Sequence, residues 1–198
     1  MKKLLLFVCV AMAILTACEE ENPAPEILSN FKNGVFVVNE GTQNNASLSF
    51  FSKDSMVMTN TIFSSLTQKN LGQFFQSMTI IGSKAYLVVN GSQKIEVFNL
   101  KEKTNSATIL GLSYPRYLLA VDDNRAYITN GNGFSQDYIY ILNTNTDEIS
   151  DSIAIGTGPE TLLKDGVEVK GTTTSKDKLK ELQALGITPY QIRLEKEK

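Results

Sequence analysis

The side chains best suited to chemistry in this chain are amides and aromatic rings, which collect in short polar segments between β-type runs. The segments are residues 39–46, 74–76, 90–93, 114–117 and 130–137. Amides donate and accept hydrogen bonds and rings stack on flat surfaces, so this composition suits a polar, flat-faced or amide-bearing ligand. The candidate ligand-binding residues are Asn44, Asn45, Asn90, Gln93, Tyr114, Arg116, Tyr117, Asn132, Phe134 and Gln136.

Some of these residues suit a structural role equally well. Asn39, Asn90 and Asn130 each end a β-type run, where asparagine commonly forms a turn. Phe74 and Phe75 could belong to an apolar core. The loop segments therefore predict a binding surface, with turn formation as the alternative for the asparagines.

The sequence argues against an enzyme. Histidine is absent, which excludes imidazole-based zinc, copper and haem sites and every Ser-His or Cys-His nucleophile pair. The loop acids Glu40, Asp137 and Glu160 have no base beside a nucleophile and no partner acid at a defined spacing. Residues 122–124 lack the later glutamate of a calcium loop, and residues 131–133 lack the lysine or helix start of a phosphate cradle. We expect no catalytic residue, metal or cofactor.

The charge of the chain is also informative. The formal net charge is −2 at pH 7, and the basic residues form no cluster. A mildly acidic chain of this kind is a poor candidate for binding nucleic acid.

One pattern recurs from Asn33 to about Glu160, with a period of about forty to fifty residues. Each of three copies begins with a β-type run that ends in asparagine, at residues 36–39, 87–90 and 127–130. The second runs are residues 47–51, 94–98 and 138–142. The third runs are residues 61–63, 107–110 and 152–155, and fourth runs follow at 78–82 and 117–121.

Four short strands joined by Gly, Asn and Asp turns are typical of a β-propeller blade. A two-sheet sandwich is the alternative, but it has no reason to repeat one four-strand order. We predict an all-β fold, a partial propeller of about three four-stranded blades over residues 31–160. Because neighbouring strands alternate in direction, the polar segments should all lie at one end of the blades.

The pattern ends abruptly after Glu160. In residues 161–198, leucines at 179, 182 and 185 have helical spacing and predict a helix around Lys176 to Leu185. Three blades do not close a ring, since propellers have four to eight. A truncated or frame-shifted chain is the favoured interpretation, and a natural helix that caps an exposed blade is the alternative. In either case, an open arc exposes apolar blade faces.

The N-terminus predicts export. Lys2 and Lys3 precede an apolar run from Leu4 to Leu15, and small residues precede Cys18, which together form a signal peptide over residues 1–17. An uncleaved membrane helix is the alternative, but the run spans only about 18 Å. Residues 18–30 are acidic and contain two prolines, which predicts a flexible tether.

Several segments resemble known families. Residues 15–18 resemble the lipobox of bacterial lipoproteins, and the acids after Cys18 resemble an export tag to the outer face of the outer membrane. Residues 127–130, with 139–143 and 156–159 after them, resemble the YVTN-type surface propeller repeat. Residues 39–49, 82–92 and 111–117 resemble a branch of that family made of outer-membrane lipoproteins.

Some members of that branch are seven-bladed and capture cobalamin beside a TonB-dependent transporter. The resemblance covers about residues 33–160. It implies a lipid-anchored, cell-surface protein of the outer membrane that captures a corrinoid-like small molecule or a glycan for such a transporter. The alternative is an adhesion or scaffold propeller that binds a protein partner.

Replacement of Cys18 by serine is expected to abolish membrane association and to leave uncleaved precursor, because the thiol is the group that is lipidated before cleavage. Fractionation and immunoblotting of cells that express Cys18→Ser check this. A variant that stays in membranes at the mature size would contradict the lipidation.

Overall fold

Short runs rich in β-branched and aromatic residues, broken by glycine, asparagine and aspartate turns, form most of the strands that the structure describes. The structure is a computed structural model and describes residues 31–165, 168–173 and 187–191. The strands are β1 Gly34–Asn39, β2 Ser47–Ser52, β3 Val57–Thr59, β4 Phe75–Ile81, β5 Lys84–Val89, β6 Lys94–Asn99, β7 Thr104–Ile109, β8 Pro115–Ala120, β9 Arg125–Asn130, β10 Asp137–Asn143, β11 Glu148–Ile155, β12 Leu162–Asp165, β13 Glu168–Thr173 and β14 Ile187–Gln191.

These strands form four sheets in chain order. The first blade is β1–β2–β3, the second is β4–β5–β6–β7, and the third is β8–β9–β10–β11. All neighbours within these three blades pair antiparallel. The all-β, partial propeller predicted from the sequence is confirmed.

The first strands of successive sheets lie side by side. β4 contacts β8, and β8 contacts β12. Ser77 Oγ on β4 donates a hydrogen bond to the carbonyl of Arg116 on β8 at 2.6 Å, and Thr79 Oγ1 donates to that of Leu118 at 2.7 Å. These side chains fix the second blade against the third at their inner strands.

The fourth sheet, β12–β13–β14, lies in the part of the chain for which the sequence predicts a tail. β12 and β13 pair antiparallel, whereas β13 and β14 pair parallel. The helix predicted around Lys176 to Leu185 lies outside the described residues.

The apolar core lies between the blades. Tyr86 and Val88 of the second blade pack with Ala126 and Ile128 of the third. Between the first two blades, the rings of Phe36 and Phe50 lie 5.0 Å apart, and Phe31 bridges them to Phe98 of the second blade. Burial of each such side chain contributes roughly 1.5–3 kcal/mol, so stacking of the blades supplies most of the stability.

The second blade departs from the alignment of the three sequence copies that places Asn39, Asn90 and Asn130 at equivalent positions. Asn39 and Asn130 are the last residues of β1 and β9, but β5 ends at Val89 and Asn90 opens a single 3₁₀ turn. Since side chains alternate along a strand, a one-residue offset reverses the face on which they lie. Tyr86 and Val88 therefore face Ala126 and Ile128 across the interface, although the alignment gives them equivalent positions.

The strand predicted for the third run of the first copy is wrong. The sequence predicts a strand at residues 61–63, whereas the structure has a helix, α1, at Ile62–Thr67 and places the third strand at β3. Ile62 and Phe63 are buried, and the Phe63 ring packs 5.7 Å from that of Phe98. An apolar run this short does not distinguish strand from helix by itself, and burial against the second blade decides it.

Polar side chains also join the second and third blades. Tyr86 Oη donates a hydrogen bond to Asp147 Oδ1, and Lys84 Nζ contacts Asp147 Oδ2, both at 2.7 Å. Burial, this hydrogen bond and the negative charge of Asp147 raise the pKa of Tyr86 far above its ordinary value. Tyr86 therefore stays a neutral donor at all physiological pH values.

Glu96, at the centre of β6, is a buried carboxylate with a complete set of partners. Lys94 Nζ, Asn105 Nδ2 and Thr108 Oγ1 each contact it at 2.6 Å. Burial alone would raise the pKa of Glu96, but these hydrogen bonds and the charge of Lys94 outweigh it, so the pKa lies below its ordinary value. A depressed pKa stabilises the fold at neutral pH, and this stabilisation is lost as the pH falls through the folded-state value.

Glu96→Gln is expected to lower the free energy of unfolding at neutral pH by about 1–3 kcal/mol. The deficit relative to the parent chain should shrink in acid, at a pH below the depressed folded-state pKa, because the parent carboxylate is then protonated. Urea unfolding at both pH values measures this. Glu102→Gln, in the exposed β6–β7 turn, is the matched control and should follow the parent. A deficit that does not change with pH would contradict the role of the charge.

Candidate ligand-binding face

The connections that the sequence marks as polar all lie at one end of the blades. Because the strands are antiparallel, the connections β1–β2, β3–β4, β5–β6, β7–β8, β9–β10 and β11–β12 share that end. We call this surface the loop face; it comprises residues 40–46, 60–74, 90–93, 110–114, 131–136 and 156–161.

Backbone hydrogen bonds join these connections into one surface. The amide of Ala46 donates to the carbonyl of Gly72 at 3.0 Å, and the amide of Asn90 donates to that of Phe74 at 2.8 Å. The amide of Gly131 donates to the carbonyl of Tyr114 at 3.0 Å. Each loop is thus held by a loop of another strand pair.

A small cavity of about 160 Å³ opens on the loop face of the third blade. It combines tyrosine rings, side-chain amides and one carboxylate. Its lining residues are Ser113, Tyr114, Asn130, Gly131, Asn132, Ser135, Gln136, Asp137, Tyr138 and Tyr140. The Tyr138 and Tyr140 rings lie 5.9 Å apart. We call it the tyrosine cavity; it offers rings for stacking and amides for pairing.

Asp137 builds the wall of the tyrosine cavity. Its buried carboxylate accepts hydrogen bonds from the amides of Asn132 and Gly133 at 3.2 Å and from that of Gly158 at 2.6 Å. A Cβ added at Gly131 would lie 2.3 Å from Asp137 Cγ. The loop can therefore wrap around the carboxylate only with glycine at this position.

A second cavity of about 460 Å³ lies on the loop face beside α1. Amides and hydroxyls dominate its walls, and Lys69 is the ionic side chain among them. Its lining residues are Asn44, Asn45, Ala46, Ser47, Thr61, Ser64, Gln68, Lys69, Asn70 and Leu71. We call it the amide cavity.

Three residues of the amide cavity have left-handed backbone conformations. Asn44, Thr61 and Gln68 have φ values of 55°, 54° and 57°. The conformation is common for asparagine but rare for a β-branched residue such as threonine, and such strain concentrates at functional sites.

The structure divides the predicted ligand-binding residues between the two cavities. Asn44 and Asn45 line the amide cavity, and Tyr114, Asn132 and Gln136 line the tyrosine cavity. Phe134 projects from the same loop and is 93% exposed.

The other four predicted residues line neither cavity, and three of them make contacts within the protein. Asn90 Nδ2 donates to the Pro115 carbonyl at 3.0 Å, and Tyr117 Oη accepts from Gln76 Nε2 at 3.4 Å. Arg116 forms a two-pronged ion pair with Glu160, at 2.6 and 2.9 Å. Gln93 is exposed at the end of the 3₁₀ turn.

The side chains of Asn39 and Asn130, which end strands, form hydrogen bonds within the protein. Asn39 Nδ2 donates to Ser49 Oγ at 2.8 Å, and Asn130 Oδ1 accepts from the amides of Ser113 and Tyr114 at 3.0 and 2.9 Å. In the segment 74–76, Phe75 is buried at the start of β4, while Phe74 is exposed.

A family described as a domain of unknown function, DUF5074, matches residues 33–177. The chain belongs to the DUF5074 family. No curated protein matches it in sequence.

A solved structure similar to this DUF5074 chain is hydrazine synthase from Kuenenia stuttgartiensis, with a TM-score of 0.54 and 16% sequence identity. The match covers 66% of this chain but only 35% of that one. At this identity the likeness concerns the fold alone, and it accords with a propeller-like arrangement.

Sequence reasoning missed two features of the DUF5074 chain. Tyr138 and Tyr140 were assigned to a strand, yet their rings line the tyrosine cavity; their signal is the alternation with Ile139 and Ile141, which places the tyrosines on one face of β10. The other is a cavity of about 650 Å³ at the opposite end of the blades.

That larger cavity is a weaker candidate site despite its size. Three of its four ionic side chains are engaged within the protein: Lys84 with Asp147, Asp122 with Arg125, and Lys164 Nζ with the Val121 carbonyl at 2.6 Å. The fourth, Asp123, is exposed. The one ring in its wall, Tyr86, is buried and donates to Asp147.

The described residues hold no cluster of three or more residues of the types that ligate metals. Among them there is also no helix of the length and apolar character required to cross a membrane.

Asp137→Asn is expected to lower the free energy of unfolding by about 2–3 kcal/mol, because an amide turns a donor toward backbone amides that need an acceptor. Urea unfolding measures this, and limited proteolysis should show faster cleavage within residues 131–136. Asp151→Asn, on the exposed part of β11, is the control and should match the parent. Unchanged stability and unchanged cleavage in Asp137→Asn would contradict this role.

Proposed function

We propose that this chain is a surface-anchored binding protein that captures a small ligand, corrinoid-like or a glycan, on the loop face for an outer-membrane transporter. The observation that carries the proposal is the tyrosine cavity. Three of its lining residues, Tyr114, Asn132 and Gln136, were predicted from the sequence as ligand-binding, and the fold adds Tyr138 and Tyr140 beside them.

The size of the cavities limits how the ligand binds. Sites that enclose a drug-sized molecule measure about 300–1,000 Å³. The tyrosine cavity, at about 160 Å³, admits one side arm or one sugar ring edge, whereas the amide cavity, at about 460 Å³, falls within that range. A larger ligand would therefore lie across the loop face and insert separate groups into the two cavities.

The chemistry of both cavities fits a neutral, polar ligand. A corrinoid presents amide side arms around a flat macrocycle, and a glycan presents hydroxyls around rings with an apolar face. Each hydrogen bond contributes only about 1 kcal/mol net, so tight capture needs several loops at once. The hydrogen bonds that join the loops hold these groups in place before binding.

Anchoring at the cell surface is the second part of the proposal. The apolar run after Lys3, the residues that resemble a lipobox and the acids that follow Cys18 support it. The resemblance to cobalamin-capturing lipoproteins supports a TonB-dependent transporter as the partner that receives the ligand.

Calorimetry with cyanocobalamin on the purified, detergent-solubilised chain tests the ligand. We expect measurable heat for the parent chain and at least tenfold weaker binding for Tyr114→Ala plus Asn132→Ala, because both a ring and an amide of the tyrosine cavity are lost. The matched control is Asp123→Ala plus Asn145→Ala, in the opposite-end cavity, and it should bind like the parent.

The outcomes separate the parts of the proposal. Absence of heat with cyanocobalamin rejects the corrinoid and leaves the glycan, which an array of surface glycans then tests with the same variants. Loss of binding in the control pair, but not in the tyrosine-cavity pair, would move the site to the opposite end.

A protein partner is the second candidate function. Phe134 is almost fully exposed on the loop face, and Phe74 and Tyr114 are also exposed there. Exposed aromatic residues are enriched among the energetic centres of protein interfaces. Phe134→Ala should weaken partner capture but leave small-ligand binding within about twofold, since Phe134 lines neither cavity.

A further inference from the structure

The sequence contains four Asn-Gly pairs, at residues 33–34, 90–91, 130–131 and 132–133. In such a pair, the backbone nitrogen of the glycine can attack the side-chain Cγ of the asparagine and expel ammonia, because glycine has no Cβ to hinder the approach. The product is a succinimide, which water opens to aspartate or isoaspartate. Ring closure requires room for the backbone to turn and a side chain that lies over the next peptide, so the fold decides which pair reacts.

Three of the pairs are packed too tightly for this rotation. A Cβ added at Gly34, Gly91 or Gly131 would lie 2.2, 2.3 or 2.3 Å from the nearest side-chain atom. That atom belongs to a phenylalanine ring at the first two positions and to the Asp137 carboxyl group at the third. Each of these glycines therefore has another side chain directly against its Cα.

The asparagines of the same three pairs are bonded to other segments of the chain. Asn33 Nδ2 donates a hydrogen bond to Asp54 Oδ1, and Asn90 Nδ2 donates to the Pro115 carbonyl. The side-chain oxygen of Asn130 accepts from two backbone amides of the β7–β8 connection. Each side chain thus has a partner other than the residues that directly follow it.

The pair Asn132–Gly133 differs in both respects. Asn132 Oδ1 accepts a hydrogen bond from the Phe134 amide at 2.9 Å, which folds the side chain forward over the Gly133 peptide. Gly133 is exposed, and, chain neighbours apart, the nearest atom to an added Cβ would be the Gly158 Cα at 3.9 Å. Asp137 Oδ2 accepts from the Gly133 amide at 3.2 Å, so it is in place to take up the proton that this nitrogen loses during attack.

We propose that Asn132 is a site of spontaneous deamidation, which converts an amide in the wall of the tyrosine cavity to a carboxylate. The Gly133 nitrogen bonds to Asn132 Cγ, the Cγ–Nδ2 bond breaks, and the side-chain nitrogen leaves as ammonia with the proton that the Gly133 nitrogen gives up. Water then adds to the succinimide, so the net change is the exchange of an amide NH2 for OH. Neither step needs an oxidant, a cofactor or a ligand.

The modification acts on the loop that builds the tyrosine cavity. The amides of Asn132 and Gly133 both donate to the buried Asp137 carboxylate. A carboxylate at position 132 adds a second negative charge beside it, which opposes this arrangement, and isoaspartate also inserts a backbone atom between the two amides. Deamidation therefore loosens residues 131–136 and makes the cavity acidic. The reaction needs no ligand and is independent of the proposed function.

Peptide mapping by mass spectrometry tests the site. The full chain in nonionic detergent is incubated at mildly alkaline pH in water labelled with a heavy oxygen isotope, which marks only the asparagines that hydrolyse during the incubation. Fragment ions separate Asn130 from Asn132. We expect at least tenfold faster labelling at Asn132 than at the other three pairs. In urea, where the packing is lost, all four pairs should react within about threefold of one another, because they share one dipeptide.

Equal rates at the four pairs of the folded chain, or a faster reaction at another pair, would overturn the proposal. A lead of Asn132 that is just as large in urea would also overturn it, since the fold would then have no part in the selection.

Limited proteolysis tests the effect on the loop, with Asn132→Gln as the matched control. Glutamine keeps the amide but closes the larger imide ring far more slowly. Cleavage within residues 131–136 should be at least threefold faster in the aged parent chain than in the fresh one, and fresh Asn132→Asp should resemble the aged parent. Aged Asn132→Gln should be cleaved like its fresh sample. Equal acceleration of the aged parent and the aged glutamine variant would contradict the loosening.

Discussion

Stacking of sheet upon sheet is the interaction on which the rest of this structure depends. An antiparallel blade has two faces, and here both are apolar: Tyr86 and Val88 lie on one face of the second blade, and Leu87 and Phe98 are buried on the other. Such a blade becomes stable only when a neighbour covers each face.

Polar side chains convert this non-directional packing into a fixed arrangement. Ser77 and Thr79 bond the inner strand of one blade to that of the next, and Asp147 holds both Tyr86 and Lys84 of the preceding blade. Hydrogen bonds require particular distances and angles, whereas apolar contacts tolerate sliding. These hydrogen bonds between blades set the position of each loop on the loop face. They thereby also set the shape of the two cavities.

Several parts of the fold follow directly from the sequence. The strands β6 and β10 coincide closely with the predicted β-type runs, and the runs at 87–90 and 127–130 overlap the ends of β5 and β9. Strand alternation places the polar segments at one end. The secondary structure of residues 61–63 does not follow from the sequence, because a three-residue apolar run is too short to show a helical or a strand periodicity. The offset at Asn90 was hidden for a related reason: alignment on a residue type does not reveal which strand position it occupies.

The sequence by itself determined the kind of chemistry this protein offers: neutral amides and aromatic rings, without imidazole, at one end of a set of blades. Only the tertiary structure decided which of those groups remain available. Asn90, Arg116 and Asn130 bond to partners far along the chain, while Asn132 and Tyr114 line a cavity. The physical reason is that a polar side chain binds whichever partner the fold brings within about 3 Å, and those partners lie on other loops, brought together by the stacking of separate blades.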